Sequence, residues 1–121
     1  MILEFDNTSP IYIQLVEYFK MEIISNKFKP GEKLPSVRDL ALQSRVNPNT
    51  MQKALTELEN MKLIYTERTN GKYVTTNQKL IDKIKSEYAV KISNDYFSNM
   101  ENIGYSKNDV IDYLKQLGGN K

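Results

Sequence analysis

The sequence predicts a mainly α fold: three helices closed by a β-hairpin, then a two-helix C-terminal tail. Three features of the 121 residues carry that expectation. Apolar side chains recur every three or four positions in several separate stretches, the period of a helix with one buried face. Two short runs rich in β-branched and aromatic residues flank Asn70-Gly71, a pair suited to the positive φ of a tight hairpin. Prolines and glycines, at Pro30-Gly31, Pro35, Pro48 and Gly104, punctuate the chain where helices must start or stop.

Taken in order, Ile2-Leu3-Glu4-Phe5 leads to Asp6-Asn7-Thr8-Ser9-Pro10, where Ser9 can cap a helix and Pro10 fits a first turn that needs no N–H. Ile11, Leu15, Phe19 and Ile23, flanked by Tyr12, Val16 and Ile24, form the buried face of that helix, and Asn26 tolerates a left-handed terminus. Lys29 to Pro35 reads as a connector. Ser36 and Asp39 are spaced as a capping box ahead of a short helix with Val37, Leu40 and Ala41 inward. Ser44-Arg45-Val46 is a turn, and Asn47-Pro48 restarts the chain with a cap residue and a first-turn proline. The third helix runs to about Lys62 with Met51, Ala54, Leu55, Leu58 and Met61 inward, while its first two turns expose Asn49, Thr50, Gln52 and Lys53.

Strands over 63–68 and 72–76 complete a winged helix-turn-helix, three helices plus a β-hairpin wing, in residues 1–76. A second regime fills 77–121. Ile81, Ile84, Tyr88, Ile92, Tyr96, Met100 and Ile103 step by three or four over about 23 residues, a rod of roughly 35 Å. Gly104 stops it, and Ser106 with Asp109 forms another capping box that opens a last helix, with Val110, Ile111, Leu114 and Leu117 expected inward before Gly118-Gly119. One domain of this size cannot cover so long an apolar stripe by itself, and exposed stripes of that kind mark interfaces. Ile81, Ile84, Tyr88, Ile92, Tyr96 and Met100, with Ile111 and Leu114, are therefore the expected surface of a homodimer. Tyr88 and Tyr96 read as packing residues on that stripe and not as stacking platforms.

Composition narrows the chemistry. Cys and His are both absent, which excludes a thiol nucleophile, an imidazole base and any Cys/His zinc site within the chain. The carboxylates form no paired constellation and there is no phosphate-binding glycine loop, so no enzyme, cofactor or metal is expected. No apolar run approaches the roughly 18 residues of a membrane span, and the chain reads as cytoplasmic. The 17 Lys and Arg against 15 Asp and Glu leave only +2, too little by itself to call for a polyanion. Distribution says more than the total: between Asp39 and Glu57 there is no acidic residue, and Arg45 and Lys53 sit among amide and hydroxyl side chains.

A short helix, a turn and a second helix with a polar, basic first face are what the major groove of DNA admits. Asn and Gln can pair bidentately with adenine, while Arg and Lys can pair with guanine or hold phosphate. Arg68 and Lys72 flank the hairpin tip, where a wing would meet the backbone or the minor groove. The plainer alternative is that Asn47 is only a cap and that Asn49, Gln52 and Lys53 are merely solvated.

The run Leu34-Pro35-Ser36-Val37-Arg38-Asp39-Leu40-Ala41, followed by Val46-Asn47-Pro48-Asn49-Thr50-Met51-Gln52-Lys53-Ala54-Leu55 and Leu58-Glu59, strongly resembles the GntR family of bacterial transcription regulators. Ser9-Pro10-Ile11-Tyr12 and Lys29-Pro30-Gly31 fit as well, so the likeness spans about residues 7 to 76. The Val-Asn-Pro-Asn-Thr turn and the short remainder after the hairpin are similar to the YtrA subgroup, whose two-helix tail is a dimerisation element. The resemblance implies a homodimeric repressor of its own operon, often one encoding an ATP-binding-cassette transporter. It places Arg38 at phosphate or base, Asn47, Asn49, Thr50 and Gln52 in the reading face and Gly71 at the wing tip; with Ser36, Arg45, Lys53, Arg68, Asn70 and Lys72 these are the residues expected at the DNA, and no small-molecule effector is named. The family often has Gly where this chain has Asn26 and Lys62, its wing usually reads Gly-x-Gly where only Gly71 remains, and some members have Arg at the place of Gln52. A competing reading is a winged-helix module that binds protein and not DNA. Loss of the exposed basic and amide face would favour it, and that face is present.

Overall fold

The computed structural model describes residues 3–119; Ile2, expected in the leading segment, lies outside them. Helix α1 spans Ile11–Ile24, α2 Val37–Ser44 and α3 Pro48–Asn60; strands β1 (Ile64–Glu67) and β2 (Gly71–Val74) form an antiparallel hairpin, and α4 (Gln78–Asn102) and α5 (Lys107–Gly118) complete the order. This is the expected mainly α, winged helix-turn-helix architecture with two further helices. Two compact units meet within α4, after Ile84, whereas the expected boundary fell in the loop before that helix.

The first unit is built on α3, which packs against α1, α2 and β1. Leu15, Phe19 and Ile23 of α1, Leu40 and Ala41 of α2, and Met51, Ala54, Leu55 and Leu58 of α3 are fully or almost fully buried, as are Leu63, Ile64 and Val74 at the base of the hairpin. Register follows from that burial. Ile64 faces Val74, Tyr65 faces Tyr73, Thr66 faces Lys72 and Glu67 faces Gly71. Slipping by one residue would turn Ile64 and Val74 out of the core, so the pairing is tightly specified. The connector between α1 and α2 is more ordered than expected. Lys33 bridges to Tyr73, and hydrogen bonds from Gly31 to Val74, Leu34 to Lys72 and Val74 to Glu32 tie it along the outer edge of β2.

Several local expectations need correction. Ser9 does not cap α1: Pro10 occupies the cap position with no side-chain hydrogen bond, and Gln14 instead reaches back to the carbonyls of Asp6 and Ser9. Ile11 is 43% exposed because it sits at the open end of α1, beside a shallow recess and not beneath another element. Met61 is also on the surface, since α3 ends there and the chain reverses through Lys62. At Ser36 only the forward half of the capping box forms, its hydroxyl accepting from the Asp39 amide at 3.1 Å.

Three non-glycine residues carry positive φ: Asn26 (67°), Arg45 (56°) and Lys62 (65°). Two of these, Asn26 and Lys62, are positions where the resemblance leads one to expect glycine. The left-handed conformation costs an L residue roughly 1–2 kcal/mol, and here it ends α1 and α3 without the relief glycine would give. Gly104 supplies that relief after α4, with φ 101° and with the amides of Gly104 and Tyr105 returning to the carbonyls of Glu101 and Met100.

In the second unit, Ser106 and Asp109 form the full reciprocal capping box at the start of α5. These hydrogen bonds, from the Ser106 amide above all, hold the exposed Asp109 carboxyl below its ordinary range. Val110 is buried, but Ile111, Leu114 and Leu117, expected inward, are exposed. The physical reason is that α5 does not pack along α4, so only its first apolar residue finds cover within the chain.

Candidate nucleic-acid interface

The reading face is set by two caps and a turn. The Ser36 hydroxyl starts α2, and the Asn47 side chain starts α3 by accepting from the Asn49 amide at 2.7 Å. Between them Arg45 in the left-handed region turns the chain, and the Val46 amide closes on Ala41 at 3.0 Å. Ser44 is buried with its hydroxyl bonded to the Leu40 carbonyl at 2.6 Å, so the polar end of α2 is satisfied internally. The result projects Asn49, Gln52 and Lys53 from the first two turns of α3, all exposed, with Thr50 half-buried.

The other faces of those helices are consumed by the core, so what α3 offers to a partner is this polar strip. Asn49 has no side-chain partner among the described residues, and Gln52 makes one exposed hydrogen bond to Thr56 at 3.2 Å. Lys53 is held in place: its ammonium lies 3.9 Å from the centre of the Tyr12 ring, a cation–π contact. Pro10, Ile11 and Tyr12 border a recess of about 410 Å³ with Asn49, Thr50 and Lys53, which brings the start of α1 beside the start of α3. Tyr12 as the anchor of Lys53 was not legible as a site residue, because the pairing spans two helices.

On the other side, the wing and the start of α2 face each other across a crevice of about 830 Å³. Its walls include Lys33, Ser36, Arg68, Asn70 and Gly71, together with the acidic Glu32 and Glu67. The guanidinium groups of Arg38, Arg45 and Arg68 have no partner among the described residues and are exposed. Asn70 is engaged in shaping the turn, its amide and side chain both reaching Glu67. Gly71 takes φ 110° at the end of the hairpin, with the Lys33 stem close by. Lys33 is a further cation at this crevice that could not be singled out from sequence, since it lies in what reads as a connector.

Lys72 departs from expectation. Its ammonium forms an ion pair with Glu59 at the end of α3 and donates to the Thr66 hydroxyl at 2.9 Å, and only 16% of its side chain is exposed. A lysine so engaged is not a free phosphate contact. Partial burial opposes ionisation of Glu59, but the hydrogen bonds from Lys72 and Thr66, helped by the lysine charge, hold its carboxyl below the ordinary value. A depressed carboxyl contributes stability above its unfolded value of about 4.5, and that contribution is lost as pH falls through the folded value. Glu59→Gln should therefore be less stable than the parent at neutral pH, by about 1 kcal/mol or less for a pair that solvent still reaches in part. The difference should shrink towards pH ~3, and urea unfolding at both pH values checks it; a gap that does not narrow in acid would contradict the assignment.

Among the residues expected at the dimer surface, Ile81 is only 4% exposed and is already covered within the chain, so it cannot serve as an interface contact. Ile84, Tyr88, Tyr96 and Met100 are half-buried. Ile92, Ile111 and Leu114 are exposed, as are Val90 and Leu117.

A family model described as "Bacterial regulatory proteins, gntR family" matches residues 11–74, from the start of α1 to the end of β2. The chain belongs to the GntR family. It is 44% identical over 73 residues to the HTH-type transcriptional repressor YtrA of Bacillus subtilis, a match covering 60% of this chain and 56% of that protein. A GntR family transcriptional regulator from Listeria monocytogenes has the same fold with a TM-score of 0.82 and 38% identity, over 93% of this chain and 98% of that one. The DNA-binding domain of AraR, solved with the operator ORX1, superposes with a TM-score of 0.56 at 28% identity, over 62% of this chain and 95% of that domain. This GntR chain is thus a transcriptional regulator with a DNA-binding winged helix, and its relatives are named as regulators and not as enzymes. No helix among the described residues is long and apolar enough to cross a membrane.

Proposed function

We propose that this regulator is a repressor that binds an inverted-repeat operator as a homodimer, with α3 as the recognition helix. The observation that carries the reading is the strip of Asn49, Gln52 and Lys53 at the start of α3, free of acidic neighbours in sequence and flanked by the unpartnered Arg38 and Arg45. The likeness to the repressor YtrA and to an operator-bound AraR domain supports it. The resemblance further implies control of its own operon, in that subgroup often one encoding an ATP-binding-cassette transporter. The uncovered apolar residues of α4 and α5 support the dimer.

Two-fold symmetry with one recognition helix per major groove requires half-sites about 10 base pairs apart, centre to centre. With Lys72 committed to Glu59, each subunit offers Arg38, Arg45, Lys53 and Arg68 to phosphate. If two or three of these engage, the dimer neutralises about four to six charges, and affinity should fall with log salt at a slope magnitude of about 4 to 5. Selection from a random DNA pool followed by fluorescence anisotropy at several salt concentrations tests both points. A slope near zero, or equal affinity for the selected and scrambled sequences, would favour the protein-binding alternative.

A further inference from the structure

We propose that Glu59 is a positioning residue for DNA binding: by gripping Lys72 and Thr66 it fixes the wing against the recognition helix, so that Arg68 at the tip and the reading face of α3 engage one DNA site together. This rests on the DNA-binding reading above. Thr66 and Lys72 are direct cross-strand partners, one rung before the Glu67–Gly71 pair that closes the hairpin. The Glu59 carboxylate accepts from the Thr66 hydroxyl at 2.7 Å and from the Lys72 ammonium, while that ammonium also donates to Thr66 at 2.9 Å. One side chain from the last turn of α3 thus holds both strands at a single rung.

The remaining attachments leave a freedom that this contact removes. The base of the hairpin is anchored by Ile64 and Val74 in the core, and the outer edge of β2 is paired with the connector. Both act on the backbone, the connector along one edge of β2 as far as the Lys72 carbonyl, whereas Glu59 holds side chains of both strands from α3. The lysine and the carboxylate are each largely withdrawn from solvent, with 16% and 32% of their side chains exposed, unlike the open Lys91–Asp95 pair on α4. A tip held this way lets the guanidinium of Arg68 meet DNA without first ordering the wing, a pre-organisation that raises affinity without adding a contact.

The test is a double-mutant cycle on selected operator DNA, read as affinity at one salt concentration. Arg68→Ala alone should weaken binding roughly tenfold if the tip meets DNA in both subunits. In a Glu59→Ala background the same change should cost less than about twofold, because the tip is no longer held in place. Asn49→Ala, on α3 itself, should lose an equal factor in both backgrounds. If Glu59→Ala does not fold cooperatively, Glu59→Gln carries the same cycle, since it keeps an acceptor for Thr66 and removes only the charge. Equal losses for Arg68→Ala with and without Glu59, or no loss on the parent protein, overturn the proposal while leaving DNA binding intact. Failure of the parent to bind any selected DNA overturns the underlying reading, and this proposal with it.

Discussion

Replacing Ile92 and Leu114 together by aspartate should turn the protein into a folded monomer with little affinity for an inverted repeat. Both residues lie in the second compact unit and are exposed within one chain, Ile92 at 62% and Leu114 at 43%, so a charge at either creates no buried ion in the monomer. The substitutions therefore separate assembly from folding. In a two-fold dimer each change occurs twice, and burying an Ile or Leu is worth about 1.5–3 kcal/mol. Four lost contacts, before counting the cost of placing carboxylates in the interface, amount to about 6 kcal/mol or more, comparable with the whole association energy of a micromolar dimer. Sedimentation should show one chain per particle and circular dichroism unchanged helicity. Operator affinity should drop by at least about 100-fold, because the second half-site no longer arrives with the first. A soluble dimer that still binds its operator would show that the uncovered residues of α4 and α5 serve something else.

How much of this was legible beforehand depends on the range of the interactions. Features encoded within a turn or two match the structure: Asn47 and Ser106 as caps, Asn26 as a left-handed terminus and Gly104 as the stop of the long helix. At the hairpin only Gly71 takes a positive φ, and it is paired with Glu67, so the loop is Arg68-Thr69-Asn70 and not the two-residue Asn70-Gly71 turn expected. The apolar period identified Leu15, Phe19, Ile23, Met51, Leu55 and Leu58 as core for the same reason. Periodicity fails where an element outruns its neighbours. Ile11 and Met61 continue the buried stripes of α1 and α3 by spacing alone, but they sit at helix ends with nothing above them. Ile111, Leu114 and Leu117 keep perfect helical spacing and are uncovered because α5 has no second helix lying along it.

The site was legible as a strip of residue types and not as a set of partners. The sequence placed Asn49, Gln52 and Lys53 on one face, and the structure keeps them there. It could not foresee that Lys72 would be spent on a carboxylate thirteen positions away, or that Tyr12 would hold Lys53 from another helix, since both pairings exist only after α1, α3 and the hairpin have docked. Charge counted along the chain therefore overstated the wing and missed Lys33, which the pairing of the connector with β2 carries to the crevice.

The recognition helix gives the second large effect, and the two asparagines at its start should respond in opposite ways. Asn47 caps α3 by accepting the Asn49 amide, so Asn47→Ala leaves that N–H without its partner and should cost about 1 kcal/mol of stability. Asn49 spends only its backbone on that bond, and its side chain is exposed and unpartnered among the described residues. Asn49→Ala should leave the unfolding midpoint within about 0.5 kcal/mol of the parent. On DNA the order reverses. If Asn49 reads a base edge, its loss should weaken the selected operator by about 1–3 kcal/mol per contact and relax preference at one base pair in each half-site. Gln52→Ala should act likewise at a neighbouring position, as its side chain's only tie among the described residues is the weak exposed bond to Thr56. Asn47→Ala, measured well below its own unfolding temperature, should shift affinity without changing which base is preferred, because a frayed first turn loosens the whole reading face and not one contact in it. Repeating the random-pool selection with each variant decides between the roles. An unchanged preference in Asn49→Ala and Gln52→Ala would move base reading away from the start of α3, whatever their affinities.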